Sequence, residues 1–195
     1  MARPIDEKNR EKVQENILTA AREVFCQKGY RAVTMSDLIK AAGLSRGGFY
    51  FYYKSVDEVF RETVRNRTKS KFEALRQSIA DNPDFYELLD DYFARQKRRL
   101  QDMHTSLLWA LYEYMFIHNT AINAKFRAEQ RNNILDTVNE ILQLGVRQEI
   151  INRDDTRQIA EHYMFTIEGL NVKAMFHDLS DQTIDEQLHI LRNML

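Results

Sequence analysis

The sequence predicts an all-α protein: an N-terminal three-helix domain with a helix-turn-helix, then a larger helical domain, about nine helices in all. Three observations predict it. Only two prolines and six glycines punctuate 195 residues, too few breaks for a chain of short strands and turns. Apolar residues recur at three- and four-residue steps through most of the chain, which is the helical period. The hydrophobic share of 44% is enough for a substantial core.

The first helix spans residues 8–28, with Val13, Ile17, Ala20, Ala21, Val24 and Phe25 on one face and Gly29 as its C′ residue. A second opens at Thr34, whose hydroxyl can accept a first-turn N–H while Asp37 completes a capping box, and it runs to about Ala42. Gly43 can take the positive φ of a sharp turn, Leu44 looks inward, and Ser45 caps a third short helix. Two short helices about a tight glycine turn form the helix-turn-helix pattern. A fourth helix starts at "SVDE", residues 55–58, and reaches about Ala80. The fifth opens at "DNPD", with Asn82 as cap and Pro83 at the first helical position. Four more cover residues 105–119, 121–150, 156–176 and 183–194. The expected division is a helix-turn-helix domain over 1–54 and a second domain over 55–195.

Composition narrows the function. A lone cysteine, Cys26, excludes an internal disulfide, and its place in the first helix favours a half-buried inert thiol. The opening "MARPIDEKNREK" is charged with no apolar segment behind it, and no run approaches 18 apolar residues. A cytoplasmic, soluble protein without a membrane partner is expected. Net charge is −1, yet residues 1–54 carry ten Lys/Arg against six Asp/Glu. A basic head on an acidic body suits one end meeting a polyanion. No three histidines or cysteines have metal-ligand spacing, and there is no phosphate-binding glycine loop or nucleophile elbow, so neither an enzyme nor a cofactor is expected.

The stretch "SRGGFYFYYKS", residues 45–55, sets five consecutive aromatics beside two glycines. At about 100° per residue, a helix centred on Phe49 takes Tyr53 inward and leaves Arg46, Gly47, Gly48, Tyr50 and Phe51 on the outward face and its flanks, with Tyr52 beside them. Such a face fits a nucleic-acid groove. Glycine admits close approach, Arg46 reaches phosphate or guanine, tyrosine hydroxyls bond phosphate oxygens, and Phe51 can touch a thymine methyl. The helix starts at Thr34 and Ser45 also present N–H groups and a positive dipole end to phosphate.

Residues 10–62, including "AREVFCQKGY" and "VTMSDLIKAAGLSRGGFYFYYKSVDEVF", resemble the DNA-binding domain of the tetracycline-repressor (TetR) family of transcriptional regulators. The resemblance implies DNA contacts by Thr34, Ser45, Arg46, Gly47, Tyr50 and Tyr52. Two departures stand out: Val56 occupies the position of a usual phosphate-binding lysine, for which Lys54 can substitute, and Gly48 stands where the family has Thr, Ser or Ala. The implied function is a ligand-responsive regulator, a repressor that binds a palindromic operator as a homodimer and is released by a small-molecule inducer. The alternative is an all-α ligand-binding or dimerisation module without DNA-regulatory activity.

In the body, "LLWALYEYMFI", residues 107–117, is apolar or aromatic except at Glu113 and so reads as a helix buried all round. Glu113 is then either a structural acid satisfied by an arginine such as Arg95, Arg99 or Arg127, or the group that recognises a ligand's polar or cationic end. The resemblance implies an inducer among the fourth to eighth helices, with Phe72, Phe93, Trp109, Tyr112, Phe116 and Met164 as lining. The eighth helix carries a stripe of Ile159, Tyr163, Ile167, Leu170 and Ala174, and the ninth a stripe of Ile184, Leu188, Leu191 and Leu195. Both suit a four-helix contact between identical subunits.

Overall fold

The structure is a computed structural model that describes residues 7–118 and 123–195. Its described residues form nine α-helices: α1 (Glu7–Lys28), α2 (Met35–Ala42), α3 (Arg46–Tyr52), α4 (Val56–Ala80), α5 (Phe85–Gln101), α6 (Leu107–Ile117), α7 (Ala124–Arg147), α8 (Thr156–Met175) and α9 (Asp181–Arg192). A 3-10 turn, Met103–Thr105, precedes α6. Among the described residues no helix is long and apolar enough to cross a membrane.

Several helix starts differ from expectation for local reasons. Asn82 takes φ 50°, in the left-handed region, and its N–H bonds Ile79 O at 3.0 Å, so it closes α4 instead of opening α5. Asp84 is the cap, accepting from Glu87 N, which leaves Pro83 in the connection. At α4, Glu58 N donates to Ser55 Oγ, but the Glu58 carboxylate accepts from Lys54 N, so only half of the expected box forms. Ser180 caps α9 through Thr183 N, which starts that helix at Asp181. The expected end of the sixth helix at Asn119 and start of the seventh at Ala121 lie outside the described residues.

Chain contacts separate two compact units. The first gathers α1, α2, α3, α4 as far as Thr68, and α6. Ile17, Ala21 and Phe25 of α1, Leu38 of α2, Phe49 of α3, Val59 and Phe60 of α4, and Ala110 and Tyr114 of α6 are all buried in it. Phe60 is the hub, with ring centroids 4.9 Å from Phe25, 5.0 Å from Tyr30 and 5.0 Å from Tyr114. Each fully buried ring contributes about 1.5–3 kcal/mol by burial, and each close pair about 0.5–1.5 more.

Within this unit α6 is fastened to the end of α1. Glu113 Oε2 accepts from the backbone N–H of Tyr30 at 2.6 Å and of Arg31 at 3.2 Å. Gly29 makes room for that carboxylate: its φ is +71°, and a Cβ built there would lie 2.4 Å from Glu113 Oε2. Tyr30 OH donates to Asp57 at 2.5 Å, Asp57 pairs with His118 Nε2 at 3.1 Å, and Arg61 donates to Tyr114 OH at 3.0 Å.

The second unit holds α4 from Lys69 onward with α5, α7, α8 and α9. Leu89 and Phe93 of α5, Ile141 and Leu142 of α7, Tyr163 and Ile167 of α8, and Leu188 and Leu191 of α9 lie in its interior. Gly145 is buried where a Cβ would meet Ile151 Cδ1 at 2.8 Å and Phe85 Cε2 at 2.9 Å, so α7 and α5 meet closely there.

Two sequence expectations are corrected here. Tyr163, Ile167, Leu170, Ala174, Ile184, Leu188 and Leu191, read from the sequence as a subunit contact, are buried inside the chain itself, and Tyr163 OH donates to Leu191 O. An apolar stripe reports that a face is covered, not by which chain. Nor is α6 buried all round: Phe116 is 69% and Ile117 50% exposed, while only Ala110 and Tyr114 of the helix are fully buried.

Candidate nucleic-acid interface

The two short helices of the first unit are built by caps. At α2, Thr34 Oγ1 accepts from Asp37 N at 3.2 Å while Thr34 N donates to Asp37 Oδ2 at 2.9 Å, a complete capping box. Lys28 pairs with Asp37 at 2.5 Å. That ammonium, then the Thr34 bonds, hold the Asp37 carboxyl down at about 2. Gly43 ends α2 with φ 65° and bonds Lys40 O. The turn then reaches Ser45, whose Oγ accepts from Gly48 N at 3.1 Å and starts α3.

On α3, Phe49 and Tyr53 point into the unit and are buried. Burial first, then the charges of Glu62 and Glu58, push the Tyr53 phenol up to about 12. Arg46 and Gly47 are exposed, and a Cβ at Gly47 would meet nothing within 4 Å. Phe51 is 52% exposed. Tyr50 and Tyr52 are half-buried on the flanks, and Tyr52 meets Phe51 edge-on at 5.2 Å. Gly48 is tighter, with a built Cβ 3.2 Å from the capping Ser45 Oγ. Lys54 Nζ folds back onto Tyr50 O at the C-terminal end of α3, where a cation suits the helix dipole. Of the proposed DNA-contacting residues, Thr34, Ser45, Arg46, Gly47, Phe51 and Lys54 are exposed, and Gly48, Tyr50 and Tyr52 are half-buried.

One contact made by α3 is not legible in the sequence. The Arg10 guanidinium of α1 stands over the Phe51 ring, 5.7 Å from its centroid. Nothing in the spacing of α1 signals a partner so far along the chain.

The residues expected to line a ligand pocket fall in both units. In the first, Trp109 is half-buried and packs on His104 at 4.7 Å, Tyr112 lies 6.4 Å from the exposed Phe116, and Glu113, read from the sequence as either an arginine-paired acid or a ligand contact, accepts from the backbone N–H groups of Tyr30 and Arg31. In the second, Phe93 and Met164 are buried, Phe93 stacks on Tyr163 at 5.8 Å, and half-buried Phe72 carries Arg76 5.6 Å from its ring. An open groove of about 220 Å³ runs between α5 and α9. It is crossed by Lys97–Asp185 at 2.6 Å and Arg192–Asp90 at 2.7 Å, and Phe93 is its one member of the expected lining.

Residues 17–63 match the family described as bacterial regulatory proteins, tetR family. Over 180 residues the chain is 26% identical to the uncharacterized HTH-type transcriptional regulator YfiR of Bacillus subtilis, covering 91% of this chain and 87% of that protein. Over 61 residues it is 31% identical to the HTH-type transcriptional regulator QacR of Staphylococcus aureus, 31% of this chain and 32% of that protein. Among solved structures it superposes on reduced NemR of E. coli with a TM-score of 0.74 at 14% identity, over 93% of this chain and 96% of that one. It superposes on FadR of Bacillus subtilis, solved in complex with stearoyl-CoA, with a TM-score of 0.64 at 20% identity, over 91% of this chain and 96% of that one. At these identities the structural likeness establishes the fold.

Proposed function

Because the chain belongs to the tetR family of bacterial regulatory proteins, we propose that it is a cytoplasmic, ligand-responsive repressor that binds a palindromic DNA operator as a homodimer and lets go when a small-molecule inducer binds. One observation carries the DNA-binding part: the open side of α3, where Gly47 has free space above it between Arg46 and the exposed Phe51. Thr34 and Ser45 orient the two helix starts, Arg46, Tyr50, Tyr52 and Lys54 supply phosphate and base contacts, and bare backbone at Gly47 and Gly48 lets the helix sit deep in a major groove.

A palindrome calls for a twofold dimer with recognition helices about 34–36 Å apart. The surface that supports one is the outer side of α8, where Phe165, Gly169, Val172 and Phe176 fall within about 60° of one another. Phe165 is 64% and Phe176 74% exposed, and nothing lies within 4 Å of a Cβ built at Gly169. Exposed rings along a glycine-notched stripe suit close packing against the same helix of a second subunit.

For the inducer, the solved complex of FadR with stearoyl-CoA supports the binding of a small molecule. Trp109, Tyr112, Phe116, Phe72, Phe93 and Met164 remain the apolar side chains proposed to receive it. Ligand-induced release requires a coupling of about 1–3 kcal/mol between ligand and DNA binding.

The decisive experiment selects duplexes from a random-sequence pool with the full-length protein and titrates the winner against salt. A dimer making about eight phosphate contacts gives a log–log slope near −7. Failure to enrich any sequence, with no saturable complex at low salt, overturns the reading.

A further inference from the structure

The Arg10–Phe51 contact adds a member to the nucleic-acid surface, and the inference rests on the DNA-binding reading above. Phe51 is 52% exposed although the same helix buries Phe49 and Tyr53 completely or nearly so. Its ring meets Tyr52 edge-on at 5.2 Å and has the Arg10 guanidinium carbon over it, 5.7 Å from the centroid. One turn further along α1, Gln14 comes near enough to the Tyr53 phenol to oppose the rise in its pKa. Arg10 and Gln14 stand four residues apart, on one side of α1, so the first turns of α1 brace the C-terminal end of α3 at two points.

A guanidinium that stacks uses its flat face. Its five N–H donors lie in the plane of the group and stay directed sideways, which is the geometry that takes two phosphate oxygens at once. Arg10 is exposed, and the ring beneath it limits the side chain's freedom before any partner arrives. An ordered cation loses less entropy on binding than a free one. The α3 helix needs such bracing, because it has seven residues, two of them glycines, and little helical preference of its own.

We propose that Arg10 is a phosphate-binding residue of the DNA interface, pre-set by stacking on Phe51. Phe51 is then the platform for that arginine and does not read bases. The contact lies outside the helix-turn-helix and extends the footprint by one phosphate in each half-site.

The test uses full-length protein and the duplex selected from the random pool by the wild type, with affinity measured across a KCl series for the wild type, Arg10→Ala, Arg10→Lys, Phe51→Ala and the Arg10→Ala/Phe51→Ala pair. Losing one phosphate contact per subunit lowers the magnitude of the salt slope by about 1.8 for a dimer. Arg10→Ala should show that drop, with about tenfold weaker binding at moderate salt and an unchanged sequence preference. Arg10→Lys should keep the slope but lose several-fold in affinity. Phe51→Ala should reproduce most of the Arg10→Ala loss, and the double variant should be no weaker than Arg10→Ala alone, because both changes remove one contact. Far-ultraviolet dichroism and a thermal melt confirm that each variant is folded. An unchanged slope and affinity for Arg10→Ala, while Arg46→Ala still weakens binding, overturns the proposal and leaves the DNA-binding reading standing. A large Phe51→Ala loss without an Arg10→Ala loss overturns it in favour of direct base contact. A wild type that enriches no duplex overturns the underlying reading itself.

Discussion

Helices α3 and α8 each bury one aromatic side and expose another, yet the exposed sides differ in their company. On α3 the exposed Phe51 has Arg10 over its ring, Arg46 is exposed on the same helix, and bare backbone opens at Gly47. On α8 the stripe of Phe165, Gly169, Val172 and Phe176 has no cation within it. Rings that carry cations suit a polyanion, which offers phosphate to the charges. Rings alone suit another apolar surface, where water exclusion is the driving term. The two faces therefore ask for different partners, and substitutions can separate them.

The largest expected effect is on α3. Arg46→Ala with Tyr50→Ala removes contacts each worth about 1–3 kcal/mol in both subunits, so operator affinity measured by fluorescence anisotropy should fall by more than about 100-fold. The dimer should survive. On α8 the double change Phe165→Glu/Phe176→Glu should convert dimer to monomer in sedimentation, with helix content retained because both side chains are outside the core. Operator binding should then weaken by at least about tenfold, through loss of the linked second half-site. If the α8 variant stays dimeric, the contrast between the two faces fails.

Periodicity made the α3 division legible, because only one arrangement buries Phe49 with Tyr53. It could not divide α8, where Ile159, Tyr163, Ile167 and Leu170 form one apolar stripe and Phe165, Val172 and Phe176 another. The broader stripe joined the chain's own core, which left the narrower one exposed. Glu113 was legible as an acid in need of partners, but those partners are backbone N–H groups at the end of α1, a pairing that tertiary folding alone creates. The Arg10–Phe51 contact is illegible for the same reason: cation–π contacts have no spacing rule between distant segments.

Smaller effects sharpen the picture of what holds the first unit. Glu113→Ala strips the Tyr30 and Arg31 N–H groups of their acceptor and should cost about 1–3 kcal/mol. A melting-temperature drop of about 2–4 °C for each kcal/mol is expected in a chain of this size. Thr34→Ala should cost about 1 kcal/mol through loss of the α2 cap. The smallest change is in acid. Asp37 is depressed to about 2, so its contribution is fully present above the ordinary carboxylate value of about 4 and disappears as pH falls through 2. In urea melts followed between pH 4 and 2, Asp37→Asn should flatten that part of the stability curve and leave neutral pH nearly unaffected in slope.

Gly29 offers a way to disconnect without blunting. Any side chain at that codon would crowd Glu113 Oε2 to 2.4 Å and evict the acid from its seat between two amides. Random hunts for deregulated mutants should return to it repeatedly, since such a change unlatches α6 while leaving every group proposed to grip the double helix as it was.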